Sequence, residues 1–153
     1  MPLLAQQPPP AKPKEPDGVV EKALSWLGIK YRFGGTSSER GFDCAGLVKK
    51  VFGSNGIALP RTAALQFREG VAVAFEELKP GDLVFFRNTY KKGISHVGIY
   101  LGEKLFIHAG SRQHRVVVER IDLPYYLSRF AGGRRIARTQ PPAAVTAKAS
   151  AQE

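Results

Sequence analysis

The chain is expected to form one α+β domain, with N-terminal helices packed on a mostly antiparallel sheet of five to six strands. Two observations carry this expectation. Apolar residues recur at helical spacing as far as about residue 67, whereas from Leu83 onward they gather in short runs rich in Val, Ile, Phe and Tyr. Helices first and strands second is the order of an α+β fold rather than of alternating βαβ units. A length of 153 residues with 43% hydrophobic content is enough for one core of ordinary size and too little for two.

The elements follow from their punctuation. Asp17 is placed to cap a first helix whose apolar face is Val20, Ala23, Leu24 and Leu27, ended by Gly28. A glycine-bearing loop from Tyr31 to Ser38 leads to Asp43, the expected start of a second helix that carries Cys44, Leu47, Val48, Val51 and Phe52 and stops near Gly53-Ser54-Asn55-Gly56. Pro60-Arg61-Thr62 opens a short third helix through Phe67. After the Pro80-Gly81-Asp82 turn, strands are expected over 83–87, 95–101, 104–109, 115–121 and 134–138, with a short helix capped by Asp122 near 123–130.

The flanks have a different composition. Residues 1–17, with Pro8-Pro9-Pro10, Pro13 and Pro16, read as a disordered proline-rich arm, and residues 140–153, rich in Ala, Ser, Thr and Pro, as a disordered tail. The folded domain is therefore expected over 18–139. The net charge of +10 falls within it, because the few charges of the flanks nearly cancel. A basic surface attracts polyanions such as nucleic acid, anionic lipid or an acidic wall polymer, and charge alone does not choose among them. No zinc-finger or RNA-binding signature accompanies it, so a nucleic-acid partner is not expected. No apolar run approaches the roughly 20 residues of a membrane span. Met1-Pro2-Leu3-Leu4-Ala5 lacks the basic start and apolar core of a secretory signal.

Cys44 is the only cysteine, so no internal disulfide is available. Its position at the start of a helix has two readings. It is the first residue of a buried stripe, or a thiol whose pKa the unpaired N–H groups and the helix dipole lower into a nucleophile's range. Two histidines fall on neighbouring strands, His96 and His108. They leave the same face, directly across from one another, when a three-residue loop places Tyr100 opposite Lys104; a two-residue Gly102-Glu103 turn sends them to opposite faces. With both rings facing Cys44, the set is a thiol, an imidazole base and a second imidazole to orient the first. His114 reads as surface. A zinc site for one cysteine and two histidines lacks the local ligand pairs of dedicated zinc motifs, and neither metal nor cofactor is expected.

With these residues assembled, the chain resembles the NlpC/P60 family of cysteine peptidases, a branch of the papain-like fold that cleaves bacterial cell-wall peptides. The resemblance runs from Gly28 to about Ala137. It includes Tyr31-Arg32-Phe33-Gly34-Gly35-Thr36, Phe42-Asp43-Cys44-Ala45-Gly46-Leu47-Val48, and Leu59-Pro60-Arg61-Thr62 with Gln66. It continues through Leu78-Lys79-Pro80-Gly81-Asp82-Leu83-Val84-Phe85-Phe86, His96-Val97-Gly98-Ile99-Tyr100-Leu101-Gly102 and Phe106-Ile107-His108-Ala109. The resemblance implies that Cys44 is the nucleophile, His96 the base and His108 the orienting residue. It implies that Tyr31 reaches the site and helps hold the oxyanion, and that Asp43 positions the cysteine segment beside the substrate. An aromatic packed at a loop base and a plain N-cap explain Tyr31 and Asp43 equally well. Many members have serine after the cysteine; here Ala45 removes any contact made through that hydroxyl.

The resemblance further implies a cysteine endopeptidase acting on peptidoglycan stem peptides, at the bond between the D-glutamate side-chain carboxyl and the following diamino acid. The alternatives are a non-catalytic cationic wall-binding module, or an amidase or acyltransferase on another substrate. A monomer is expected, and an extracytoplasmic site of action, in the periplasm, the envelope or the medium, as a mature or truncated secreted protein whose signal is not visible in the chain. If charge steers this domain to the wall, raising salt slows digestion of intact sacculi more than cleavage of a small stem peptide; equal sensitivity in the two assays removes the steering idea.

Overall fold

A computed structural model describes residues 18–138, so the arm, the tail and the proposed Asp17 cap lie outside the described residues. Helices α1 (Gly18–Ser25), α2 (Cys44–Ser54) and α3 (Ala63–Gln66) come first, with a two-stranded β1 (Thr36–Ser37) and β2 (Gly41–Phe42) between α1 and α2. Then come β3 (Val71–Val73), a 3-10 turn over Phe75–Glu77, β4 (Leu83–Arg87), β5 (Ile94–Gly102), β6 (Leu105–Gly110) and β7 (Arg115–Arg120). A short α4 (Pro124–Leu127) precedes β8 (Phe130–Arg135). The six-stranded sheet has the order β3-β8-β4-β5-β6-β7, antiparallel throughout. The α+β expectation holds, and the papain-like arrangement puts α2 against β5 and β6.

Alternation along the strands divides the core into two layers. Leu83, Phe85, Val97, Ile99 and Ile107 meet Leu47, Val48, Val51 and Phe52 of α2, all fully buried. Val84, Phe86, Tyr100 and Phe106 form the other layer with Tyr126 of α4. His96 and His108 belong to the second face by parity, flanked by Phe86 and Phe106, whose ring stacks on His108 at 4.5 Å between centroids.

Several expectations need correction. The buried residues of α1 are Val19 and Ala23, with Trp26 packed against the core. Leu24 and Leu27 are 39% and 49% exposed, so the helix is rotated from the expected face and follows the 19, 23, 26 spacing. Asp122 does not cap α4: Leu123 stands at the N-cap without a side-chain bond and Pro124 opens the helix, while Asp122 takes a fork from Arg120 at 2.9 and 2.6 Å. The last strand starts at Phe130 rather than Arg134, because pairing with β4 extends it backward through Ala131, Gly132 and Gly133 around a bulge. β1, β2 and β3, two or three residues each, were not expected; they are too short to show a period.

The start of α2 is fixed by close backbone approach. Asp43 has extended dihedrals and its Oδ1 accepts from the Gly46 N–H at 2.7 Å, an N-cap bond. The Asp43 N–H reaches the Gly35 carbonyl at 3.0 Å, and a methyl on Gly46 would collide with that same oxygen. Buried Gln66 ties α3 to this turn, its Nε2 donating to the carbonyls of Ala45 at 3.2 Å and Pro60 at 2.9 Å. Gly46→Ala is expected to cost about 1–3 kcal/mol by overpacking, measured by urea unfolding. A variant as stable as the parent would show that the Gly35 loop moves aside freely.

Candidate active site

The two imidazoles are brought together by a bulge, not by the odd-length loop that the catalytic reading required. Glu103 and Lys104 both have positive φ, 57° and 66°, and form a two-residue turn with Gly102 paired to Leu105. Taken alone, that pairing would send His96 and His108 to opposite faces. Leu101 is an extra residue on β5, so the ladder beyond it pairs Tyr100 with Phe106 and Ile99 with Ile107. Parity is restored and both rings leave one face, offset by two residues instead of directly opposed. His96 Nε2 and His108 Nδ1 then stand 2.8 Å apart with the ring planes at 90°. Gly98 makes the approach possible, since a Cβ there would lie 2.8 Å from the Ile107 carbonyl and 3.0 Å from the His108 Cβ.

Cys44 is the first residue of α2, as expected, and it both begins the buried stripe and lines a cleft. It is 8% exposed, and its Sγ lies 4.0 Å from the Ser95 carbonyl oxygen. Ser95 is itself the extra residue of a second bulge on β5, where Phe86 pairs with His96 and Arg87 with Ile94. The cleft runs to both sides of the sulfur. One lobe, about 220 Å³, is lined by Cys44, His96, His108, Arg112, Tyr125 and Tyr126 among others. The other, about 360 Å³, is lined by Asp43, Ala45, Arg61, Lys91 and Ser95. Tyr31, Cys44 and Tyr90 border both.

Asp43 lines the second lobe, but its carboxylate is engaged. Besides the cap bond, it takes a bidentate pair from Arg61, at 3.2 Å to Oδ1 and 2.9 Å to Oδ2. Half-buried Tyr31 is held by its backbone N–H on the His114 carbonyl at 2.9 Å. Burial, with the neighbouring Cys44 and Asp43 second and third, pushes its phenol up to about 12, so it remains an O–H donor at neutral pH. His114 is exposed, as expected.

The electrostatics overturn one expectation. The Cys44 thiol is pushed up to about 11, first by burial and then by the Asp43 carboxylate, against the pull of N–H groups at Val97, Ala45 and Cys44 itself. Desolvation outweighs the helix terminus. Burial, and then His108, holds His96 well below its ordinary 6.5; burial also lowers His108 against the opposing pull of Glu119. Both directions favour a neutral thiol and a neutral imidazole over the charged pair. Among the described residues no group of three or more His, Cys, Asp or Glu side chains is placed to hold a metal ion.

The sequence reading missed Glu119, whose Oε1 accepts from His108 Nε2 at 2.8 Å, and its companions Gln113 and Tyr126. A strand glutamate next to Arg120 carries no signal by itself; only the β6–β7 register, with Phe106 opposite Glu119, reveals it.

A profile of the NlpC/P60 family matches residues 28–135, most of the described chain. The chain belongs to the NlpC/P60 family. Among curated relatives, this NlpC/P60 chain is 48% identical over 118 residues to a gamma-DL-glutamyl hydrolase of Bacillus subtilis, covering 76% of this chain and 28% of the relative. It is 38% identical over 120 residues to a gamma-D-glutamyl-L-lysine dipeptidyl-peptidase of Bacillus cereus, covering 78% of this chain and 36% of that one. The crystal structure of an NlpC/P60 family protein from Bacillus cereus superposes with a TM-score of 0.72 at 36% identity, over 77% of this chain and 39% of that chain. This chain thus spans about a third of the length of these relatives.

The shifted groups set a stability window. His96 and His108 bind protons more readily unfolded than folded, so stability falls as pH drops below 6.5. Cys44 rises from 9.0 to about 11 on folding, so its contribution is intact below pH 9 and lost as pH climbs toward 11. The Tyr31 phenol adds to the loss above pH 10. Melting temperature against pH is expected to be dome-shaped, and Cys44→Ala to flatten the limb between pH 9 and 10; an unchanged limb would contradict the buried thiol.

Proposed function

We propose that this domain is a cysteine endopeptidase that hydrolyses a γ-glutamyl amide in peptidoglycan stem peptides, outside the cytoplasmic membrane. The observation that carries the reading is a Cys44–His96 cleft in which His96 Nε2 is occupied by His108 at 2.8 Å, leaving Nδ1 as the ring nitrogen available to the thiol. The names of the two relatives above both specify a γ-glutamyl bond, which supports that bond here. Lys91 in one lobe and Arg112 in the other suit a substrate rich in carboxylates. Among the described residues no helix is long and apolar enough to cross a membrane, so any attachment to the envelope is sought elsewhere.

The chemistry starts from the neutral pair. His96 Nδ1 takes the Cys44 proton, a transfer that leaves the net charge of the cleft unchanged and so avoids importing a proton into a buried site. The sulfur attacks the amide carbonyl carbon, and the oxyanion is met by the Cys44 N–H and the Tyr31 O–H. Collapse breaks the C–N bond as the imidazolium returns its proton to the leaving amine. Water, deprotonated by His96, then attacks the thioester, releasing the acid and restoring the thiol. In this scheme His108 orients His96, and Asp43 holds the cysteine turn through its cap bond and its Arg61 pair. Ala45 presents only a methyl to the second lobe, so substrate is held there without a hydroxyl at that position.

Digestion of purified muropeptides followed by mass spectrometry tests the reading. The expected products carry a new free γ-carboxyl on D-glutamate, and Cys44→Ala is expected to reduce the rate by at least about 10³-fold. A variant that cleaves like the parent overturns the assignment, and one that retains wall affinity with a parent that never cleaves identifies a binding module.

A further inference from the structure

Glu119 takes no part in the proposed chemistry, yet three donors converge on its Oε1: His108 Nε2 at 2.8 Å, Gln113 Nε2 at 3.0 Å and the Tyr126 hydroxyl at 2.5 Å. Gly110 leaves room for this convergence, since a side chain there would collide with Gln113. We propose that Glu119 is a positioning residue for the cleavage reaction, fixing the tautomers of His108 and His96 in turn so that His96 presents an unprotonated Nδ1 to Cys44. The proposal rests on the reading of Cys44 and His96 as nucleophile and base.

Donors and acceptors fix both tautomers. The His108 hydrogen bond, with those of Tyr126 and Gln113 in support, holds the Glu119 carboxyl below its ordinary range against the opposing effect of burial, so at neutral pH it only accepts. His108 must then donate from Nε2. A neutral imidazole carries one proton, so His108 Nδ1 is an acceptor, and the 2.8 Å contact obliges His96 to donate from its own Nε2. The lone pair of His96 is thereby left on Nδ1. The reverse assignment sets a ring lone pair against a carboxylate oxygen at 2.8 Å, which is repulsive. When His96 accepts the thiol proton, its positive charge stands two hydrogen bonds from the Glu119 carboxylate, an anion held by the fold before substrate arrives.

A purely structural Glu119, tying β7 to α4 through Tyr126, makes a different forecast. In Glu119→Gln the side chain keeps its size but loses the negative charge that holds the His108 proton on Nε2, and its amide can accept or donate, so the opposite tautomer pair with a proton on His96 Nδ1 becomes accessible. The variant is expected to lower kcat by about 10²- to 10⁴-fold, the scale found when an orienting carboxylate is made neutral, with KM changed less than about twofold. Nitrogen-15 NMR of the imidazoles in the unaltered chain is expected to show His108 and His96 both protonated at Nε2 near pH 7.5, with His108 moving toward Nδ1 protonation in Glu119→Gln.

A lowered melting temperature with unchanged kcat in the folded variant overturns the proposal. So does a wild-type spectrum with the His108 proton on Nδ1, a measurement that stands even if the variant does not fold. The NMR readout is independent of turnover, so full activity in Cys44→Ala would sink the enzyme reading while the tautomers still judge Glu119.

Discussion

Two imidazoles twelve residues apart on a hairpin touch only if the ladder between them has the right parity, and here a single extra residue, Leu101, supplies it. The tight Glu103-Lys104 turn alone would direct one ring into the layer under α2 and the other into the layer under α4. The bulge lets the hairpin close tightly and still keep His96 and His108 on one face. It also sets the two-residue offset that makes their contact diagonal, and Gly98 clears the space that this geometry needs. The shared face of the two rings and their 2.8 Å contact follow from that register.

The same packing that brings the groups together dehydrates them. Cys44 is buried and His96 half-buried by the layers that position them, and loss of hydration disfavours charge on either one. Burial therefore favours the neutral pair over the charged one. The N–H groups around the sulfur and the Glu119 carboxylate behind the histidines favour charge separation in one direction only, negative at sulfur and positive at His96. For the reaction proposed above, the polarity of that charge separation is already set in the resting protein.

Much of this was legible in the sequence, for physical reasons that differ by element. α2 and its Asp43 cap are readable because capping and helical spacing are local, and the fully buried Leu47, Val48, Val51 and Phe52 have the expected period. β4 to β7 are readable because their apolar runs are long enough to declare themselves. The hairpin register was legible only as a condition: the need for odd parity could be stated, but a bulge and a longer loop satisfy it equally. The α1 face was misread because eight residues give too few turns to fix a phase, and Val19 was outweighed by the larger Leu24 and Leu27. The thiol shift depends on the surrounding layers of protein, which spacing along the chain does not encode. Glu119 depends on three elements meeting, β6, β7 and α4, so no window of sequence contains it.

The cysteine at the head of α2 has no counterpart elsewhere in the 153 residues. A mechanism-based electrophile that enters the cleft can therefore form only one thioether per molecule, and the mass of the intact chain reports that event without peptide mapping. The fraction labelled counts the molecules whose groove is properly assembled, separating a weak catalyst from a preparation in which few copies are competent. Any turnover that is measured can then be expressed per assembled groove rather than per mass of protein.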